Sequence, residues 1–224
     1  MNEISNYYEF GAEDGAVKSL VILLHGVGSN GQDLISLAPM WAESLPGTRF
    51  VSPDAPYSCD MVPPGYQDSY QWFSLQNRDP QAMMQGVKEV FPLVEKFVDE
   101  QLKKHGVLSD KCMLVGFSQG TMTSLYAAPR LKDKLAGVLG YSGALLWEED
   151  VDVGALHKMP VRLIHGEADD VVPVQAWGHA KEILEAHGYE VSGYTTPYLA
   201  HGIDEAGIQS GGAFLKGLLM KSFI

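Results

Sequence analysis

The stretch Leu114-Val115-Gly116-Phe117-Ser118-Gln119-Gly120 decides how the rest of the chain is read. It is a G-x-S-x-G pentapeptide entered from an apolar run, Cys112 to Val115, that reads as a short buried strand. Beyond it, Thr121 to Ala128 carries no proline until Pro129 and places Met122, Leu125 and Tyr126 at helical spacing. A serine at such a strand-to-helix turn has a crowded backbone. Glycines two residues to either side relieve it, because a Cβ at those points would meet the strand or the helix. The hydroxyl then projects from the turn, and the helix N-terminus favours negative charge beside it. Alone the pattern is only a hypothesis; its value rests on strand and helix contexts that agree and on partners that follow.

Upstream, Leu20 to Leu24 is a continuous apolar run, the pattern of a strand buried in a parallel sheet. It ends in His25-Gly26-Val27-Gly28-Ser29-Asn30-Gly31, ahead of a helix predicted over Leu34 to Leu45 and a strand over Arg49 to Ser52. The glycines Gly26, Gly28 and Gly31 satisfy G-x-G-x-x-G, so a nucleotide-dependent oxidoreductase is a rival reading, with Asp54 as the acid that would meet a ribose. Asp54 lies 28 residues past Gly26, beyond the usual spacing of about 20, and in the proline-flanked turn Pro53-Asp54-Ala55-Pro56. An H-G-x-G turn after an early strand has another use, offering backbone N–H groups beside a nucleophile as half of an oxyanion hole. That use is preferred here.

Residues 55 to 80 have no periodicity but hold Tyr57, Tyr66, Tyr70, Trp72 and Phe73 among several prolines. So long an aromatic loop argues for function rather than disorder. Trp72, Phe73 and Leu75, with Trp147 after a later strand, are candidates for an apolar substrate wall; the plainer alternative is that Trp72 and Phe73 seal the core. Asp79-Pro80 opens a long amphipathic helix that Gly106 closes. Tyr7 to Phe10 reads as an edge strand, and Leu135 to Tyr141, Val161 to His165 and Glu190 to Thr195 as further strands. Val174 to His187 and Ile208 to Phe223 read as helices. Strands alternating with helices predict one α/β domain over residues 1–224, a mainly parallel twisted sheet covered on both faces.

Composition excludes several classes. Sixteen basic against 28 acidic residues give a formal charge of −12, which argues against nucleic acid and anionic membranes as partners. Two cysteines, Cys59 and Cys112, make no disulfide framework and show no metal-ligand spacing. Met1 to Phe10 has no basic or apolar leader segment, and no apolar run approaches spanning length, so no stable membrane insertion and a cytoplasmic location are expected.

A serine nucleophile needs a base, and the base needs a carboxylate. In such sheets functional groups gather beyond the carboxyl ends of strands. After the strand ending at His165, Glu167, Asp169 and Asp170 compete as the acid. His201, between the last strand and the last helix, is the candidate base. His25 belongs to the glycine turn, His105, His179 and His187 sit in or beside helices, His157 lies in an irregular connection, and His165 ends the acid's strand.

Taken together, Leu24-His25-Gly26-Val27-Gly28, Gln71-Trp72-Phe73-Ser74, Gly116-Phe117-Ser118-Gln119-Gly120, His165-Gly166-Glu167-Ala168-Asp169 with Val172-Pro173, and His201-Gly202 resemble the phospholipase/carboxylesterase family of α/β-hydrolases, which includes acyl-protein thioesterase-like enzymes. The pieces run in family order along nearly the whole chain. The resemblance implies nucleophile Ser118, acid Asp169, base His201, and an oxyanion hole from the N–H groups of Val27 and Gln119. Val172, in the matching Val172-Pro173, joins Trp72, Phe73, Leu75 and Trp147 as a candidate substrate-binding residue. Many thioesterase-like members carry aspartate after the Trp-Phe pair, where this chain has Ser74. No insertion is long enough for a separate lid domain. The expectation is a serine carboxylesterase for short- to medium-chain acyl esters, working without metal or organic cofactor, as monomer or homodimer. A thioesterase or lysophospholipase on the same residues is the alternative, and a non-catalytic binding module with the same fold is a third.

Overall fold

A computed structural model describes residues 3–63 and 65–220. In chain order the elements are β1 (Tyr7–Gly11), β2 (Ser19–Leu24), α1 (Gly31–Ile35), α2 (Ala38–Ala42), β3 (Thr48–Pro53), β4 (Tyr57–Ser58), β5 (Tyr70–Gln71) and α3 (Pro80–His105). There follow β6 (Cys112–Phe117), α4 (Gln119–Ala127), β7 (Gly137–Tyr141), β8 (Val161–Gly166), α5 (Gln175–Ala186), β9 (Val191–Thr196) and α6 (Glu205–Leu219). Seven strands form one sheet in the order β1-β3-β2-β6-β7-β8-β9. Only β1 runs antiparallel, against β3. β4 and β5 make a separate two-stranded ribbon inside the aromatic stretch.

The apolar runs explain the layering. A strand buried on both faces sends alternate side chains into two cores. In β2, Leu20, Ile22 and Leu24 enter the core under α3, α4 and α5, while Val21 and Leu23 enter the one under α1, α2 and α6. Each fully buried aliphatic side chain contributes about 1.5–3 kcal/mol through surface removed from water. Pairing then sets the strand ends level: Leu24 opposite Gly116, Phe117 opposite Tyr141, and Gly166 opposite Thr196. The turns after β2, β6, β8 and β9 therefore meet along one rim.

Two helices differ from the sequence reading. The helix expected over Leu34 to Leu45 is two short ones, α1 and α2, because Pro39 has no N–H to continue the ladder. α6 starts earlier than Ile208, since the Asp204 side chain caps it by accepting from Gly207 N at 2.7 Å. Its expected end at Phe223 lies outside the described residues. By contrast α3 runs through Pro92, with Asp79 as N-cap and Gly106 in the left-handed conformation at its end.

The turn after β9 carries an exposed aromatic. Leu199 N closes on Thr196 O at 3.4 Å, with Pro197 and Tyr198 between, and Tyr198 has φ 62°. That is a turn whose third position favours glycine. Tyr198 is 96% exposed, so no packing offsets the left-handed backbone. Tyr198→Gly is expected to stabilise the protein by about 0.5–1 kcal/mol, a rise of roughly 2–3 °C in Tm. A lower Tm by calorimetry would show that the ring makes a contact that matters.

Candidate active site

The sharpest turn on the rim is at Ser118, which joins β6 to α4 with φ 53° and ψ −117°. Such a conformation in a non-glycine residue costs on the order of 1–3 kcal/mol and persists only where its surroundings enforce it. Here Ser118 N donates to Tyr141 O at 2.9 Å, and Ser118 O accepts from Thr121 N at 3.0 Å. The flanking glycines are steric necessities. A Cβ on Gly116 would collide with Thr121 N, and one on Gly120 with the carbonyl of Leu24. The Ser118 side chain makes no capping bond, so its hydroxyl is not committed to the helix.

The His25-Gly26-Val27 turn lies against this serine: a Cβ on Gly26 would stand 3.2 Å from Ser118 Cβ. The aromatic stretch holds it, through Gly28 N to Tyr70 O at 2.8 Å and Ser69 Oγ to Gly28 O at 2.8 Å. His25 anchors it from below. Its Nε2 accepts from Ala55 N at 3.0 Å, so Nδ1 carries the proton donated to Gly26 O at 2.7 Å. Burial lowers the pKa of this ring, which keeps it neutral in that tautomer. Gln119 is the first residue of α4, so its N–H has no intrahelical acceptor. Its side chain accepts from Trp72 N at 2.9 Å and donates to Phe73 O at 2.7 Å, fastening the aromatic stretch to the turn.

The acid and base sit on neighbouring loops. Ala168 N donates to Leu199 O at 2.9 Å, and Gly166 approaches the carbonyls of Leu199 and Ala200 too closely for any Cβ. Across this seam His201 Nδ1 lies 2.7 Å from Asp169 Oδ2. The Asp169 side chain is fully buried, and its Oδ1 accepts from Val171 N at 2.9 Å and Val172 N at 2.8 Å. Burial alone would raise its pKa, but the bonds from His201, Val172 and Val171 outweigh it and hold the carboxyl below the usual range. A carboxylate there fixes the proton on Nδ1 and leaves Nε2 of His201 with its lone pair. The His201 ring packs on Phe117, the residue before Ser118, at 4.9 Å between centroids. Of the competing acids, Glu167 accepts from Thr195 Oγ1 at 2.7 Å, and Asp170 is exposed.

The structure moves the expected substrate wall. Trp72 is fully buried, with Nε1 donating to His25 O at 2.9 Å, so it is a core residue. Phe73 and Leu75 are buried in the same core. Trp147 leaves the rim and stacks on His187, just past the far end of α5, with centroids 4.6 Å apart. Val172 is buried and serves the acid through its N–H. Phe73 also borders a cavity of about 480 Å³ with Tyr57, Gln71, Ser74, Asn77 and Gln85. Two features went unread in the sequence. One is the Gln119 clasp, which the G-x-S-x-G pattern leaves as any residue. The other is His165, passed over as a strand end although it stands four residues before Asp169.

The dinucleotide reading fails on Asp54. Its Oδ1 accepts from Gly31 N at 2.7 Å, so a carboxylate already occupies the helix N-terminus that a pyrophosphate would need. Both cysteines are free and buried, and burial pushes the Cys112 thiol far up. Among the described residues no cluster of three His, Cys, Asp or Glu side chains could hold a metal, and no helix is long and apolar enough to cross a membrane.

Known proteins agree with this architecture. A family model described as Phospholipase/Carboxylesterase matches residues 6–219. Acyl-protein thioesterase 1 of Kluyveromyces lactis is 30% identical over 188 residues, 79% of this chain and 80% of that protein. Its counterpart in Gibberella zeae is 28% identical over 213 residues, 88% of each. The crystal structure of esterase PE8 is similar with a TM-score of 0.87 at 36% identity, covering 95% of this chain and 98% of that one. Zea mays acyl-protein thioesterase 2 shares the fold, with a TM-score of 0.75 at 22% identity over 96% of this chain and 99% of its own.

Proposed function

The chain belongs to the phospholipase/carboxylesterase family of α/β-hydrolases, and from that premise we propose that it is a serine esterase acting on short- to medium-chain acyl esters through Ser118, His201 and Asp169. Ser118 Oγ attacks the acyl carbonyl while its proton passes to His201 Nε2. The N–H groups of Val27 and Gln119 receive the charge that develops on the carbonyl oxygen. His201 returns the proton to the departing alcohol oxygen, leaving an acyl-enzyme. Water then repeats the attack with His201 again as base. Asp169 holds the imidazole and stabilises its charged form. The observation that carries this reading is the 2.7 Å bond between His201 Nδ1 and a fully buried carboxylate on the rim that also bears Ser118.

The chain-length preference rests on the aromatic stretch. Trp72, Phe73 and Leu75 spend their surface in the core, which leaves little apolar wall for a long acyl chain. Each methylene that is fully buried is worth about 0.8 kcal/mol, and one that stays wet adds nothing. With p-nitrophenyl esters, kcat/KM is expected to rise from acetate to a maximum at short or medium length and to fall by palmitate. A fluorophosphonate should label wild type and not Ser118→Ala. The relatives named as acyl-protein thioesterases favour one other reading, a thioesterase on the same residues. A kcat/KM that climbed through to palmitoyl thioesters would select it.

A further inference from the structure

Asp169 is approached by two histidines, and the mechanism above uses one. His165, near the end of β8, is buried, with Nε2 2.8 Å from Val172 O and 3.3 Å from Asp169 Oδ2. A carbonyl only accepts, so Nε2 carries the proton and the ring is the donor. We propose that His165 is a positioning residue, whose single N–H closes the acid loop on Val172 and so holds the Asp169 carboxylate in place against His201. This rests on the esterase reading of the same site.

The reason lies in how the carboxylate is held. Its Oδ1 is gripped by two backbone N–H groups, both supplied by residues 171 and 172. Those groups are only as fixed as the loop that carries them. His165 fixes it, since the Val172 unit that donates to Oδ1 through its N–H accepts from His165 through its carbonyl. The same nitrogen also stands 3.3 Å from Oδ2, the atom that faces His201 at 2.7 Å, while its N–H is given to the Val172 carbonyl. A purely space-filling residue would need no donor here. Leu125, Leu163, Ile164 and Trp177 line, with His165, Thr121 and Ser142, a small cavity behind the loop.

The test compares His165→Leu, which removes the donor, with His165→Gln, whose amide brings an N–H to nearly the place of Nε2. His165→Asn, too short to reach the Val172 carbonyl, stands in if the leucine variant does not fold. Rates on p-nitrophenyl acetate are normalised to active sites titrated with a fluorophosphonate, so loss of folded protein drops out. The donor-less variant should lose about 10- to 100-fold in kcat, the range typical of residues that orient a functional group, with KM within about two-fold. His165→Gln should recover most of that loss. A donor-less variant with wild-type kcat per labelled site would overturn the inference, whatever its Tm, as would a glutamine variant no faster than leucine. If wild type takes no label, or Ser118→Ala keeps its rate, the esterase reading itself fails. If Ser118→Ala is dead and His165→Leu is not, only the role of His165 falls.

Discussion

Ser118→Ala is expected to lower kcat/KM for p-nitrophenyl butyrate by about four to six orders of magnitude with almost no change in Tm. The two halves of this expectation have separate causes. Activity falls because no other hydroxyl lies on the β6–α4 turn at that point, and the remaining catalysis would come from oxyanion donors and binding alone. Stability holds because the serine side chain makes no capping bond and alanine keeps the same backbone constraint. The φ of 53° stays strained in either residue. Equal rates for the two proteins would sink the nucleophile assignment. A large drop in Tm would mean that the lost rate reports unfolding.

Asp169→Asn should cost about four orders of magnitude in kcat while the fold survives. The backbone dictates how the amide sits. Val171 N and Val172 N both donate to the Oδ1 position, so the amide oxygen must take it and the NH₂ must take the place of Oδ2. That group then faces His201 Nδ1, donor against donor, and drives the ring to carry its proton on Nε2 instead. A base with its lone pair on the wrong nitrogen cannot accept from Ser118. Asp170→Asn, on an exposed neighbour, should stay within about two-fold of wild type. The reverse pattern would move the acid to Asp170. Stability adds a pH signature. The folded Asp169 carboxyl titrates below its ordinary value of 3.8. Its stabilising effect is therefore complete above that value and is lost as pH falls through the folded value. The Tm gap between wild type and Asp169→Asn should be widest near neutrality and close in acid; a gap that widened below pH 4 would contradict the bonding described.

The middle of the sheet is legible because β2 and β6 are built on uninterrupted apolar runs, and little else in a polypeptide has that pattern at that length. The Ser118 turn was legible for a related reason: two glycines are required by close contact with α4 and with the Leu24 carbonyl. The loops were harder. Three acids within four residues look alike on paper, and only the distance to His201 separates Asp169 from its neighbours. Trp72 shows the limit most plainly. A tryptophan in an aperiodic stretch can face a ligand or the core, and its Nε1 partner, the His25 carbonyl 47 residues away, leaves no trace in local sequence. The helix after β2 was overdrawn because its apolar spacing continues through Pro39, where its hydrogen bonds cannot.

The order of strands sets the order in which the rim comes apart. Ser118 follows β6, the middle strand, flanked by paired strands on both sides and fully buried through residues 112–116. His201 follows β9, an edge strand whose six residues are all only half-buried. Opening of a fold starts where burial is least and climbs toward the global free energy at the centre. Brief sub-global openings at the β9 edge would thus withdraw the base while the nucleophile stays folded in place. Such an enzyme would flicker between competent and idle forms under conditions where spectroscopy still counts every molecule as native, and its activity would fade with heat ahead of its secondary structure.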